Sequence, residues 1–330
     1  MKPLPLADLG HILEHSETDL RSLQGARLFI TGGTGFIGSW LTQSLLHANE
    51  RLDLRLSATV LTRHPERYQA HPAITYLQGD ISTYEHPAET FTHFIHGATE
   101  ASATMTAEDP TRMFDTIVTG TRHTLQHAAK SGTIPFLFLS SGAVYGPQFG
   151  PTSEACSGAP DPTLPASCYG EGKRAAELLC GLFHRTHGVD CKIARCFAFA
   201  GPLLPIDSHF AIGNFVRDRL AGGPIRIGGD GTPRRSYLHA ADLTIWLWRI
   251  LHKGVAMRSY NTGSERAYSI REIADTVAAG QIPVEQAKQP IPGAAASWYV
   301  PDTSRARQEL NLNEYFSLDE SIRRMMEWNA

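Results

Sequence analysis

A tyrosine and a lysine four residues apart, in Cys168-Tyr169-Gly170-Glu171-Gly172-Lys173-Arg174, are the residues of this chain best placed to do chemistry. They stand at the start of an expected helix, where a spacing of four puts both side chains on one face. A free phenol has a pKa of about 10 and a free lysine ammonium about 10.4. A cation beside the phenol favours the phenolate, so Lys173 is expected to draw Tyr169 down toward the working pH. A phenol tuned in this way passes a proton to or from a carbonyl or alcohol oxygen. Taken alone, the pair also fits two surface side chains that share a helix face. The preceding segment, Ile134-Pro135-Phe136-Leu137-Phe138-Leu139, reads as a strand that ends in Ser140-Ser141-Gly142-Ala143-Val144-Tyr145-Gly146. Ser141, at a strand's carboxyl end, is placed to hold a substrate oxygen. From there to Ser167 the chain is rich in Pro, Gly and Ser, which predicts a loop covering the site.

The elements that must position these residues begin with Ala26-Arg27-Leu28-Phe29-Ile30-Thr31, an apolar run typical of a buried strand. It leads into Gly32-Gly33-Thr34-Gly35-Phe36-Ile37-Gly38 and then an apolar helix from Trp40 to Leu46. Strand, glycine turn and helix are the context of a dinucleotide-binding loop. Gly32 permits the tight turn, Gly35 lets the backbone approach a pyrophosphate, and Gly38 lets helix and strand pack closely. The helix start over Phe36 and Ile37 offers free N–H groups to phosphate, with Thr34 in the loop between. A second strand, Ala58 to Arg63, ends in a cation where an acidic residue would grip the ribose hydroxyl of NAD. Arg63, with His64 and Arg67 beyond it, suits a 2′-phosphate and therefore favours NADP over NAD. A third strand, Ile74 to Gln78, ends in Gly79-Asp80-Ile81, where Asp80 is expected to accept from the adenine amine and Ile81 to pack on its ring. A fourth, Thr92 to His96, ends in Gly97-Ala98-Thr99, small enough to let the cofactor lie against the strand end. Thr111 to Ala129 reads as a helix carrying His123 and His127 at metal-ligand spacing. With no acidic or cysteine partner in sequence, a surface or subunit-contact role is preferred to a metal site, and no metal is expected.

The bulk properties agree with an enzyme of this kind. The 330 residues are 42% hydrophobic and 19% charged, enough for one large two-lobed unit. A formal net charge of −3 carries no basic surplus for nucleic acid. Five cysteines, at 156, 168, 180, 191 and 196, form no CxxC pair and fit reduced thiols in a cytoplasmic protein. The beginning of the chain lacks the apolar run of a signal peptide, and no apolar run has the length needed to span a membrane. Residues 1–24 read as an N-terminal extension with a short helix capped by Asp8 and striped by Leu9, Ile12 and Leu13. Farther on, Asp242 is expected to cap a helix through Ile245 to Leu251, and Ser269-Ile270-Arg271-Glu272 reads as a capping box.

With these motifs in this order, the chain resembles the extended short-chain dehydrogenase/reductases, in particular the NAD-dependent epimerase/dehydratase group that acts on nucleotide sugars. Arg195-Cys196-Phe197 with Gly201-Pro202, Gly229-Asp230-Gly231-Thr232, Arg235, His239, Asp242-Leu243 and Asn261 with Gly263 extend the likeness over residues 26–265. The resemblance implies that Ser141 hydrogen-bonds the oxygen at the reacting sugar carbon and that Tyr169 is the general acid/base. It implies that Lys173 lowers the Tyr169 pKa and holds the nicotinamide ribose, and that Arg235 grips the nucleotide diphosphate. The segment His209 to Phe215 falls at the nucleotide-sugar pocket, with Asn214 and Arg234 as further candidate contacts. A homodimer through the helices near 111–129 and 169–186 is expected on the same ground.

Departures from the family pattern narrow the chemistry. Dehydratases of this group follow the serine or threonine with an acidic pair, and its decarboxylases carry a glutamate where Ala143 stands. Gly142 and Ala143 therefore disfavour both reactions. Arg195-Cys196-Phe197-Ala198 replaces the usual R-x-F-N, and Ile117 stands where many relatives have asparagine. The expected fold is α/β, a Rossmann-type doubly wound parallel sheet over residues 25–198. A smaller lobe over 199–330 binds the nucleotide sugar, with 236–263 returning to the sheet. The expected activity is NADP-dependent reduction of a nucleotide 4-keto sugar. A 4-epimerase with tightly held NAD is the alternative, and a non-catalytic NAD(P)-binding protein the reading from another class.

Overall fold

Arg27–Thr31 (β1) is a run of apolar and β-branched residues whose last four are buried, as befits a strand covered on both faces. In the computed structural model, which describes residues 2–99, 108–132, 134–208 and 210–330, it lies inside a parallel sheet. The other strands of that sheet are Ser57–Thr62 (β2), Ile74–Gln78 (β3), His93–His96 (β4), Pro135–Ser141 (β5), Asp190–Cys196 (β6) and Ser259–Thr262 (β7). Among the described residues the seven run in the order β7-β6-β5-β4-β1-β2-β3, with every neighbouring pair parallel. The order reverses between β1 and β4. Open α/β sheets bind their ligands at such a switch point, beyond the carboxyl ends of the strands.

Helices cover both faces. Leu6–Ser22 (α1), Phe36–Leu52 (α2) and Ala240–Lys253 (α6) share one apolar cluster with the sheet. Pro110–Lys130 (α3) and Cys168–His187 (α4) share the other. The second lobe packs Ala211–Leu220 (α5), Ile270–Ala278 (α7) and Leu318–Asn329 (α9) around a third cluster. Ser304–Leu310 (α8) buries Ala306 and Leu310 in the first of these clusters. A small three-stranded sheet in the lobe sets Trp298–Tyr299 parallel to Arg234–Arg235, which also pair antiparallel with Tyr268–Ser269.

Several local expectations are corrected. The stretch 1–24 is no appendage, because α1 buries Leu9, Ile12 and Leu20 in the main core. Asp8 does not cap α1. The helix already begins at Leu6, and Asp8 lies buried in its first turn, where its carboxylate meets Arg324 of α9. Asp242 likewise sits inside the first turn of α6, accepting from the backbone N–H groups of Tyr315 and Phe316 at 2.8 and 3.1 Å. The cap is His239, whose Nδ1 accepts from the Ala241 N–H at 3.1 Å. In both helices a buried carboxylate is recruited by a distant donor rather than by its own helix end. His127 is a core residue rather than a surface one, hydrogen-bonded to the Tyr84 hydroxyl at 3.1 Å. His123 donates to the Tyr84 carbonyl at 2.7 Å, and among the described residues no cluster of three or more His, Cys, Asp or Glu could hold a metal ion. The capping box at Ser269 and Glu272 forms as read.

Candidate active site

A cleft of about 1480 Å³ opens across the carboxyl ends of the strands and under the second lobe. Its near wall is the turn from β1 to α2. Gly32 has φ +73°, and a Cβ there would lie 2.6 Å from the Gly97 carbonyl carbon, so only glycine lets the two strand-end turns meet. Gly35 stands at the N-cap of α2 without a capping side chain. The first N–H groups of the helix, over Phe36, Ile37 and Gly38, therefore face the cleft beside Thr34. Gly97, Ala98 and Thr99 form the floor. A buried chain fixes it: Thr31 Oγ1 hydrogen-bonds His96 Nδ1 at 2.7 Å and accepts from the Ala98 N–H at 3.2 Å, while His96 Nε2 meets Thr121 at 3.0 Å. Burial pushes His96 down to about 3, so the imidazole is neutral. Thr99 Oγ1 is buried in the cleft without a hydrogen-bond partner among the described residues. The tight glycine turn, the uncapped helix start and this spare hydroxyl fit a dinucleotide laid across the switch point.

Beyond β2 the cleft is lined by Arg63, His64 and Arg67, and beyond β3 by Asp80 and the buried Ile81. Asp80 is the one acidic residue among the described residues that line the cleft. Its Oδ1 accepts from the Ser82 N–H at 2.9 Å.

The three catalytic candidates meet where β5 ends. Ser141 is the last residue of β5, and Tyr169 and Lys173 lie on the first turns of α4. Lys173 donates to the Leu139 carbonyl at 2.8 Å, and its ammonium lies 5.0 Å from the Phe138 ring centre and 5.9 Å from that of Tyr169. Burial draws the ammonium down to about 8. Tyr169 departs from expectation: burial pushes its phenol up to about 12, against a lowering hydrogen bond from Ser141. The expected lowering by Lys173 is not seen: its ammonium is itself buried and gives its hydrogen bond to the Leu139 carbonyl rather than to the phenol. Ser141 Oγ accepts from the Ala143 N–H at 3.1 Å and hydrogen-bonds the Tyr299 hydroxyl at 3.1 Å.

The end of β5 is braced from behind. Ser140 donates to Glu177 at 2.6 Å, and Arg195 grips the same carboxylate through Nε at 2.9 Å and a terminal nitrogen at 2.7 Å. The other terminal nitrogen of Arg195 reaches the Tyr145 hydroxyl at 2.9 Å, which donates to Asn261 at 2.7 Å. Successive serines thus divide the work, Ser141 facing the cleft and Ser140 anchoring the strand.

On the lobe side, Arg235 lines the cleft and donates to the Arg234 carbonyl at 2.8 Å. Arg234 stacks over Trp298 at 5.4 Å instead. Asn214 is not brought to the cleft. Phe210 and Ala211 at the start of α5 line it, whereas Asn214, a turn later, accepts from Arg217 at 3.2 Å. His209 lies outside the described residues. Tyr299, which sequence reasoning passed over, stands 158 positions from Ser141 in a two-residue strand that carries no periodic signal.

Residues 28–263 match the family model described as the NAD dependent epimerase/dehydratase family. Among curated proteins, UDP-glucuronic acid decarboxylases 6 and 3 of Arabidopsis thaliana are 31% and 32% identical over 255 residues, 76% of this chain and 73% of each relative. Among solved structures, an epimerase from Methanothermobacter thermautotrophicus superposes with a TM-score of 0.81 at 21% identity, covering 96% of this chain and 95% of its own. A dTDP-glucose 4,6-dehydratase from Streptomyces venezuelae, solved with NAD bound, gives 0.77 at 25% identity over 92% of this chain and 96% of its own. The match covers the glycine turn, the Ser141 strand end and the Tyr169–Lys173 helix alike, and the chain belongs to the NAD dependent epimerase/dehydratase family.

Proposed function

We propose that this enzyme transfers hydride at C4 of a nucleotide-linked sugar, and that it works as a 4-ketoreductase. The observation that carries this reading is the reacting end of the cleft itself. Ser141, Tyr169 and Lys173 are present, and among the described residues no carboxylate lines the cleft near them. Gly142 and Ala143 stand where other members of the group place acids, and a Cβ on Gly142 would already lie 2.7 Å from the ring of Phe197. Dehydration and decarboxylation both ask for a group there that these residues do not supply, so the reaction of the decarboxylase relatives is not carried over. A bound nicotinamide supplies or accepts the hydride. Ser141 holds the sugar oxygen and Tyr169 gives it a proton. Lys173 keeps positive charge beside the phenol, which eases loss of that proton as charge moves. The raised phenol of Tyr169 suits a donor that is protonated before each turnover. Arg235 is the cation for the diphosphate.

Arg63, His64 and Arg67 at the end of β2 support NADPH, a cofactor consumed once per turnover. The family's dependence on NAD favours a second reading, a 4-epimerase that oxidises and re-reduces one carbon with the same three residues. The test is loss of reduced-nicotinamide absorbance with a panel of nucleotide 4-keto sugars, offering NADPH and NADH separately. Oxidation of NADPH by one keto sugar is expected. Interconversion of two nucleotide hexoses by protein carrying NAD, with no net cofactor consumed, would make it the epimerase.

A further inference from the structure

Tyr299 brings a second phenol to Ser141 from near the far end of the chain. Its hydroxyl lies 3.1 Å from Ser141 Oγ and 3.4 Å from the Cys196 carbonyl oxygen, and its ring packs on Phe197 at 4.8 Å between centres. The placement is built from both sides. The Trp298 N–H donates to the Gln148 carbonyl at 2.8 Å, and the Thr152 N–H donates to the Val300 carbonyl at 3.0 Å. Both neighbours of Tyr299 are thereby stitched to the loop that leaves Ser141. On its other edge the Arg234 N–H donates to the Ser297 carbonyl at 2.8 Å, which ties the segment to the strand bearing Arg235.

The protons can be followed along this chain. A carbonyl only accepts, so Tyr299 donates to Cys196 and its oxygen is free to accept from Ser141. At 3.4 Å that donation is weak, and the Tyr299 proton is readily turned toward a better acceptor. When Ser141 donates to a substrate oxygen, its own oxygen becomes that acceptor. Burial pushes the Tyr299 phenol well above its ordinary range, so it carries its proton throughout the working pH.

We propose that Tyr299 is a positioning residue that acts through Ser141, its hydroxyl donating to Ser141 while Ser141 donates to the reacting sugar oxygen. Charge that builds on the sugar oxygen is then spread along two linked hydrogen bonds, each strengthening the other in a site shielded from water. Only hydrogen bonds are exchanged in this step. The proposal rests on the reading of Ser141 and Tyr169 given above. It also means that the second lobe completes the active site, since the phenol comes from the lobe's own sheet.

Tyr299→Phe removes the hydroxyl and keeps the ring against Phe197. The experiment compares the parent enzyme, Tyr299→Phe, Ser141→Ala and the double variant with NADPH and the keto sugar that the panel reduces best. Tyr299→Phe is expected to lower kcat about tenfold with KM nearly unchanged, and to cost nothing further in the Ser141→Ala background. Equal losses in both backgrounds, or a loss carried by KM alone, would overturn the proposal. Tyr169→Phe measured alongside separates the two claims. If Tyr169→Phe keeps full turnover, the reading of the site fails; if it is dead while Tyr299→Phe behaves as the parent, only the role of Tyr299 fails. If no sugar of the panel is turned over, unfolding of the same four proteins in urea decides the coupling. A smaller loss from Tyr299→Phe in the Ser141→Ala background supports it, and additive losses overturn it.

Discussion

The proposed preference for NADPH rests on Arg63. A guanidinium at the end of β2 pairs with a 2′-phosphate through charge-assisted hydrogen bonds, and a bare ribose hydroxyl gives it no such partner. Removing one hydrogen bond to a charged group raises KM for NADPH about tenfold or more in Arg63→Ala, with KM for NADH nearly unchanged. Steady-state kinetics with each cofactor checks this, and equal effects on both would mean that Arg63 does not read the phosphate. At this scale the sequence was most legible. The glycine turn, Ser141, Tyr169 and Lys173 sit in short local patterns, and the residues named from them line one cleft. What local pattern could not show was how far burial raises the Tyr169 phenol, because that depends on how much protein covers it. It could not show Tyr299 either, which reaches Ser141 only through strand pairing between distant segments.

Among the elements, β5 and α4 matter most, because they carry Ser141 and the Tyr169–Lys173 pair. Glu177 of α4 joins them through Ser140 of β5 and Arg195 of β6. The ion pair is mostly buried, so removing one partner leaves the other charge uncompensated in the interior. Glu177→Ala should therefore destabilise the fold by about 3 kcal/mol or more, measured by urea unfolding. A loss of a few tenths would mean that water or a neighbour satisfies Arg195. A helix limit is legible in the sequence where the cap is local, as at Ser269 and Glu272. It is not at Asp8 and Asp242, where Arg324 and the backbone of Tyr315 and Phe316 claim the carboxylate from across the fold.

For the whole molecule, the core carries a pH limit. Burial lowers His96, His127 and His239 each to about 3. An unfolded histidine titrates at about 6.5. Between those values the unfolded chain binds more protons than the folded one, so stability is fully present above about 6.5 and is lost as pH falls through that window. Each histidine costs about 1.4 kcal/mol by pH 5.5. Buried Asp8 and Glu314, whose pKa values are raised, pull the other way at lower pH. Urea unfolding at pH 7.5 and 5.5 should show a drop of several kcal/mol, and equal stabilities would mean that these histidines relax into water.

On the proposed function, hydride passes between nicotinamide and C4 of a nucleotide sugar at Ser141 and Tyr169. NADPH deuterated at the transferable position of nicotinamide C4, incubated with the keto sugar that the enzyme consumes, tests it most directly. Deuterium is expected at C4 of the product sugar, seen by mass spectrometry and NMR, with none elsewhere on the ring. Product without deuterium, or carbon dioxide released from a nucleotide-linked uronic acid with no net oxidation of cofactor, would contradict it.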